Sequence, residues 1–461
     1  MNNGFKTVIG LEIHIQLNTV SKMFCGCDNN AQGKAVNELS CPICMGMPGT
    51  LPVANKEAIR KAIKIGLALD CEIAPFAKFD RKHYFYPDLP KGYQISQYDK
   101  PFCVGGKLEI GGKQVRLNRI HLEEDAGKLV HPKGADYSIV DLNRAGTPLV
   151  EIVTEPDIDE PSEASEFLKE LQLIARSVDI SSADMEKGHL RCDANINVIK
   201  GDKSSPIVEI KNLNSFKFVQ KALEYEKERL IENFDSFDGK KTKQTRGFNS
   251  SAGKTYSLRE KEAAKDYRYF PEPDIPPVLI GHDSGFDLNE IKAELTKLPT
   301  KRKRDLCANG VDAKDALIIV KDSQLNQKVE EVEKISPEKI KSTVKILINE
   351  KGARNLETDN LVKLIELIEK EKLSSNIVRQ IIAQMIEGNL SLDDAVKNIS
   401  NGSDGLEEII DKILAENKDA AEKYKAGKKE VLGFLLGAVM RETRGQANPA
   451  AIREFLEKKL I

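Results

Sequence analysis

Within eight residues, His121-Leu-Glu-Glu-Asp-Ala-Gly-Lys128, the chain sets three consecutive carboxylates between an imidazole and an ammonium group. Clustered anions repel one another unless a cation or several donors offset them. A hard divalent metal does so, because Mg²⁺ takes carboxylate oxygens and keeps positions open for phosphate. The same stretch reads equally as the solvated end of an acidic strand. Val115, Leu117, Ile120 and Leu122 lead into it, so it looks like a strand terminus.

Three further strand patterns carry polar faces. In Val8-Ile-Gly-Leu-Glu-Ile-His-Ile-Gln-Leu17, alternation puts Leu11, Ile13, Ile15 and Leu17 on one side and Glu12, His14 and Gln16 on the other. In Leu190–Val198, Cys192, Ala194, Ile196 and Val198 oppose Arg191, Asp193, Asn195 and Asn197. In Ile207–Ser215, Glu209 and Lys211 share a face, and Asn212, Asn214 and Ser215 stand where the strand turns into a helix. Asn214 or Ser215 there is a helix N-cap, and the same turn offers backbone N–H groups to a phosphate. Each pattern alone suits an ordinary solvent-facing strand. Together they describe a sheet with one polar face, on which a metal held by His and carboxylates works beside cations for phosphate oxygens. Glu124 is out of step, since strict alternation groups it with Ile120 and Leu122; a bulge near the Glu pair would bring it round.

Cys25-Gly-Cys27 and Cys41-Pro-Ile-Cys44 form two knuckles thirteen residues apart, a spacing that fits a ribbon-type zinc site. Four thiolates leave no open position on the metal, so such a zinc is structural and stabilises the 18–50 loop. Unligated thiols and an iron–sulfur centre are the alternatives. Gly247-Phe-Asn-Ser-Ser-Ala-Gly253-Lys254-Thr255 is not a phosphate loop of the Walker class, because five residues separate the glycines where four are required.

The elements that position these groups fall into two regimes. Up to about residue 290 the chain is rich in strand patterns, Gly and Pro, with helices predicted at 161–179 and 214–234 among mixed and antiparallel strands. From 291 onward Leu, Ile, Lys and Glu dominate at helical spacing, and the change follows the Pro-rich stretch Tyr269–Pro277. The breaker Asn401-Gly-Ser-Asp-Gly405 divides this part into 291–399 and 400–461. Val431, Leu432, Leu435, Leu436, Val439 and Met440 make one apolar helix face in the last segment. Residues 422–461 hold nine Lys/Arg against five Glu, which reads as a solvated face or an RNA-contacting tail. The whole chain of 461 residues is balanced at a net charge of −2, and its eight cysteines are too few for a disulfide scaffold. No signal-peptide pattern follows Met1 and no apolar run nears the roughly 20 residues of a membrane helix. A soluble, cytoplasmic protein is expected.

In their order along the chain, these segments resemble the B subunits of the bacterial and organellar glutamyl/aspartyl-tRNA amidotransferases. The resemblance rests on Val8–His14, Phe79–Asp88, Gly92–Gln97, His121–Lys128, Asp141–Leu149, Glu151–Asp157, Leu190–Asn195, Glu209–Ser215, Asp266–Asp274 and Gly445–Pro449. It is dense over 5–275 and sparse between about 280 and 425. It implies a cradle-shaped α/β (α+β) kinase domain over 1–290, a helical domain, and a small helical tail that contacts tRNA. It implies a carbon–nitrogen ligase that uses ATP and Mg²⁺ to phosphorylate the side-chain carboxylate of Glu or Asp misattached to a glutamine or asparagine tRNA. Ammonia released from glutamine by a partner A subunit then displaces the phosphate, and a small C subunit completes a heterotrimer. Carried onto this sequence, Glu12, His14, Glu124 and Glu209 hold Mg²⁺ with Asp193 close by. Arg191, Lys211 and Asn212 meet phosphate or substrate. Arg81 and Lys82, set among aromatics, contact ATP or the tRNA end, or else sit in a loop packed by Tyr84 and Phe85. The quartet Cys25, Cys27, Cys41 and Cys44 occurs in only some members, so zinc is not required for catalysis. Two other classes compete with this reading: a non-catalytic zinc-containing tRNA-binding scaffold, and a metal-dependent hydrolase using the same acidic face.

Overall fold

The computed structural model describes residues 4–460 except 238–242, 261–266, 282–284, 296–297, 402–405, 427 and 444–448. Most of the breaker at 401–405 and of the Gly445–Pro449 segment therefore lies outside the described residues. The chain divides into two compact units, Met1–Lys301 and Arg302–Ile461.

The first unit is built on an eleven-stranded mixed sheet. Its principal strands are β1 (Lys6–Gln16), β4 (Lys113–Glu124), β5 (Pro148–Thr154), β6 (Leu190–Lys200), β7 (Val208–Leu213), β8 (Gln244–Asn249) and β9 (Lys254–Glu260). In space they run β9-β8-β7-β6-β1-β5-β4, with shorter strands beyond β4. Neighbours are antiparallel except β7 and β8, whose parallel pairing requires the crossover that helix α3 (Phe216–Glu232) supplies. Strand β2 (Asp80–His83) pairs with β3 (Tyr93–Ser96) on one side and with Phe270–Pro271 on the other, forming a separate small sheet.

Alternation decides which side of the large sheet is dry. Ile9, Leu11, Ile13 and Ile15 of β1 and Cys192, Ala194, Ile196 and Val198 of β6 are buried in one core. Helices α1 (Lys56–Ala68), α2 (Pro161–Ser177) and α3 pack their apolar stripes into the same core. Asn55 caps α1 by accepting from Glu57 and Ala58 N–H, Glu160 and Glu163 form a capping box on α2, and Ser215 caps α3. The predicted helices thus form, trimmed by two residues at most ends.

Three register shifts interrupt the large sheet among the described residues, and two of them shape the polar face. On β4, Val153 pairs with Arg119 and Thr154 with Leu117, which leaves Asn118 unpaired. Val115 and Leu117 face the core before the bulge and Ile120 and Leu122 after it. Arg119, His121 and Glu123 are thereby turned to the polar face. The pairing runs regularly from Arg119 to Glu124, so the bulge expected near the Glu pair lies instead at Asn118. The second bulge is on β7, where Cys192 and Ala194 of β6 face Leu213 and Ile210. Asn212, at φ 63°, takes the left-handed conformation that this requires.

The Gly247–Thr255 segment is a hairpin, with Gly247 opposite Tyr256 and Asn249 opposite Lys254, and not a phosphate loop. The described secondary structure of the second unit is all helical. It contains two separate apolar clusters, one drawn from residues 306–395 and one from 410–460. Leu432, Leu435 and Val439 of the helix Val431–Glu442 belong to the latter. Among the described residues no helix is long and apolar enough to cross a membrane.

Candidate active site

Strand register assembles the polar face residue by residue. Arg191, His14, Glu151 and His121 stand directly opposite one another on β6, β1, β5 and β4. One step along, Asp193 faces Glu12. One step the other way, Leu149 pairs with both Gln16 and Glu123. The face opens into a cavity of about 1090 Å³ whose walls include Lys82, Arg144, Glu209, Lys211, Asn212 and Tyr269.

At its centre His14 Nε2 lies 3.4 Å from Glu151 Oε2, 3.5 Å from Glu123 Oε1 and 3.9 Å from Glu12 Oε1. His121 Nε2 lies 3.3 Å from Glu151 and 3.8 Å from Glu123. Two triads therefore share Glu151: Glu12–His14–Glu151 and His121–Glu123–Glu151, each with ligand atoms within 4.8 Å of one another. Burial disfavours a charged imidazole, but Glu151 and Glu123 outweigh it, so His14 is raised and His121 is pushed up to about 9. Burial likewise opposes ionisation of Glu151, yet the two imidazoles hold it well below the usual carboxylate range. Glu12 is raised, first by burial and then by repulsion from Glu151.

Of the residues singled out by sequence, Glu12, His14, Lys82, Arg191, Asp193, Glu209, Lys211 and Asn212 line this cavity. Lys211 is ion-paired with Asp193 and stands 3.5 Å from Glu209. Glu124 is not brought to the group. Its carboxylate pairs with Lys91 and accepts from the Ile95 N–H at 3.0 Å, on the opposite side of β4. Arg81 also points elsewhere, since alternation on β2 sends Lys82 inward and Arg81 outward. Arg81 is held by Glu272 at 2.7 and 2.9 Å and stacks over Tyr93 at 4.3 Å.

The metal set expected from the sequence does not include Glu151, His121 or Glu123. The signal for Glu151 is a lone acid in the apolar run Pro148-Leu-Val-Glu-Ile-Val-Thr154. The signal for Glu123 is the three-residue step from Leu117 to Ile120, which marks a change of phase in an alternating strand.

The residues fit a divalent metal. Glu12, Glu123 and Glu151 give the hard oxygen donors that Mg²⁺ requires, and imidazole is a donor that Mn²⁺ also accepts. Among the described residues, buried Nδ1 of His121 and Nε of Arg119 and Arg191 find no hydrogen-bond partner, as befits a cavity shaped around a polar ligand.

The four knuckle cysteines also converge. Cys44 Sγ lies 3.3, 3.6 and 3.7 Å from the sulfurs of Cys25, Cys41 and Cys27, and all four lie within 4.8 Å of one another. Tetrahedral zinc with bonds of about 2.3 Å needs sulfurs roughly 3.8 Å apart, so the set fits that ion. Lys22, wholly buried, reaches Cys44 Sγ at 3.7 Å, Leu39 O at 2.6 Å and Leu142 O at 3.3 Å. Asn143 bonds to Leu39 N–H and Ala35 O. The knuckle loop is thereby fastened to the 139–147 segment, whose Arg144 lies 3.4 Å from Asp125 in the cavity wall.

Comparison with known proteins agrees over the full length. Residues 7–284 match the family model described as the GatB/GatE catalytic domain, and residues 322–460 match the GatB domain. The chain is 44% identical to the B subunit of the aspartyl/glutamyl-tRNA(Asn/Gln) amidotransferase of Thermotoga neapolitana, with 99% of each chain covered. It is 43% identical to a B subunit of the same enzyme from Clostridium acetobutylicum and 42% identical to the one from Thermodesulfovibrio yellowstonii, again over 99% of each chain.

Proposed function

Because the chain belongs to the family of aspartyl/glutamyl-tRNA(Asn/Gln) amidotransferase B subunits, components of a carbon–nitrogen ligase, we propose that its cavity activates a tRNA-bound carboxylate with ATP. The reading is carried by one observation: the triads Glu12–His14–Glu151 and His121–Glu123–Glu151 share Glu151 in an open cavity that is also lined by cations.

A carboxylate is a poor acyl donor because its leaving group would be oxide or hydroxide. In the proposed sequence a side-chain oxygen of Glu or Asp, esterified to tRNA(Gln) or tRNA(Asn), attacks the terminal phosphorus of ATP. The bond to the bridging oxygen breaks, ADP leaves, and an acyl phosphate forms. Ammonia then attacks the carbonyl carbon, inorganic phosphate departs, and the amide remains. A divalent ion held by Glu12, His14 and Glu151, or by His121, Glu123 and Glu151, would neutralise charge on the transferred phosphoryl group. Lys82, on the wall of the same cavity, attracts the polyphosphate. Arg191 and Lys211, each paired to a carboxylate, keep Asp125 and Asp193 in place. Asp193, Glu209 and Asn212 form the opposite wall, where the substrate is oriented. Arg81 supports the site from behind by fixing β2 to Glu272.

Ammonia from glutamine is assigned to a separate A subunit, with a C subunit completing a heterotrimer, and a cytoplasmic setting follows from that role. The 400–461 segment is assigned to tRNA contact and the four cysteines to a structural zinc. Co-purification with the A and C partners, followed by ATP-consumption assays on each misacylated tRNA, tests this. Consumption should require a misacylated tRNA. Turnover that is identical with uncharged tRNA would reject the activation step.

A further inference from the structure

Six basic side chains line the cavity: Lys82, Arg119, Arg144, Arg191, Lys211 and Lys243. Four of them are engaged by carboxylates. Arg144 and Arg191 hold Asp125 at 3.4 and 2.6 Å, Lys243 holds Glu209 at 3.3 Å, and Lys211 is paired to Asp193. Lys82 and Arg119 differ, since no carboxylate oxygen of the described residues comes within 4.0 Å of either. Lys82 rests over the Tyr267 ring at 5.1 Å, and the Nε of Arg119 is buried without a partner.

Arg119 is half-buried in this cavity, and Nε is its buried donor without a partner among the described residues. That N–H has lost its hydration without recovering a hydrogen bond. Arg119 is brought there by the bulge at Asn118, which turns it onto the face of His121 and Glu123. In an unbroken strand it would follow Val115 and Leu117 into the core. Asn118 itself is fixed, with its side chain on Glu155 at 2.9 Å and its carbonyl accepting from Gly105 N–H at 2.9 Å. Lys82 comes from β2 in the separate small sheet. Both cations act electrostatically on the Tyr269 phenol, which lines the same cavity and stacks on Tyr98 at 4.4 Å.

We propose that Arg119 together with Lys82 forms an oxyanion seat, and that Arg119 is a binding residue for the phosphoryl or carboxylate oxygens of the reactants. The proposal rests on the amidotransferase reading for the identity of those reactants, while the seat itself rests on the unpaired cations. A guanidinium offers a planar fork that holds two oxygens of one group, and an ammonium adds a point charge. Two reactants carry the required chemistry: the polyphosphate of the nucleotide and the side-chain carboxylate esterified to tRNA.

The test uses the assembled complex with Arg119→Gln and Arg119→Lys. Binding of ATPγS, adenosine, inorganic phosphate and Mn²⁺ is measured, together with KM for the misacylated tRNA. If the seat takes phosphoryl oxygens, Arg119→Gln weakens ATPγS and inorganic phosphate at least tenfold and leaves adenosine and Mn²⁺ unchanged. If it takes the carboxylate, nucleotide binding holds and KM for misacylated tRNA rises at least tenfold, with uncharged tRNA binding unaltered. Arg119→Lys should recover part of whichever loss occurs, because it keeps the charge and loses the fork. It also serves if the Gln variant fails to fold. Affinities and KM all within twofold of wild type in Arg119→Gln, or in Arg119→Lys should the Gln variant fail to fold, overturn the proposal. Absence of tRNA-dependent ATP consumption by the wild-type complex would defeat the amidotransferase reading alone, and the inorganic-phosphate measurement would still decide the seat.

Discussion

His14 and Glu151 face each other across neighbouring antiparallel strands, with Nε2 and Oε2 3.4 Å apart. Glu151 has a second imidazole, His121, at 3.3 Å. It is the single carboxylate common to both candidate metal triads. Its register partners on either side are both histidines, so the group is set by strand pairing and not by a flexible loop.

Glu151→Gln keeps the side-chain shape and removes the shared charge. Mn²⁺ affinity is expected to fall at least ~100-fold. tRNA-dependent ATP consumption should fall roughly a thousandfold, the several kcal/mol that a Lewis acid supplies. Glu124→Gln is expected to act differently, because Glu124 is buried against Lys91 and the Ile95 N–H. Leaving Lys91 without its partner should cost about 2–4 kcal/mol of folding stability. Urea denaturation and Mn²⁺ titration of both variants separate the two outcomes; loss of metal in Glu124→Gln with unchanged stability would contradict the geometry.

The pH dependence of the metal-free protein follows from His121. Its folded pKa is raised to about 9 from an ordinary value of 6.5. The stability contributed by the charged imidazole is therefore complete below pH 6.5 and is lost as pH rises towards about 9. Tm measured in chelator should decline across that interval. A saturating divalent ion seated on the His121–Glu123–Glu151 triad should flatten the decline, because a liganded imidazole is neutral. A chelated protein whose Tm does not change over this range would argue against the buried imidazolium.

The cysteine cluster gives a separate prediction. Cys41→Ser should lose stoichiometric zinc by metal analysis. Lys22→Met should retain the four sulfurs but lose the ammonium 3.7 Å from Cys44, and transfer of its zinc to a competing chelator should be about tenfold easier. Equal zinc retention by wild type and Lys22→Met would show that the buried ammonium does nothing for the metal.

Asn212 separates backbone from side chain. At φ 63° the position tolerates Gly, whereas Val there costs about 1–3 kcal/mol. Asn212→Gly should therefore keep the wild-type Tm and raise KM for a reactant that its amide contacts. Unchanged KM with intact stability would remove the side chain from the substrate-binding set.

The strands that alternate cleanly were legible from sequence. Glu12 with His14, and Arg191 with Asp193, face the cavity as their spacing predicts, because β1 and β6 pair without interruption over these residues. The helical second half, the capped helices after residues 160 and 215, and the convergence of four cysteines within residues 25–44 were legible for similar reasons of spacing. What escaped was phase. Glu123 and Glu124 are chemically identical neighbours, and only the pairing of Leu117 and Arg119 with β5 decides which of them faces His14. Arg81 and Lys82 pose the same problem, and β2 settles it in favour of Lys82. Glu151 was overlooked because one acid in an apolar run carries no local partner; its partners are on β1 and β4.

The unpaired Asn118 works as a parity bit. Pairing straight through it, without the bulge, would leave the order of Arg119, His121 and Glu123 unaltered along the chain, yet would exchange them with Ile120, Leu122 and Glu124 in space. A chain could therefore keep every letter of the acidic octapeptide and still present a greasy wall to the cavity, if its strand paired there without the bulge.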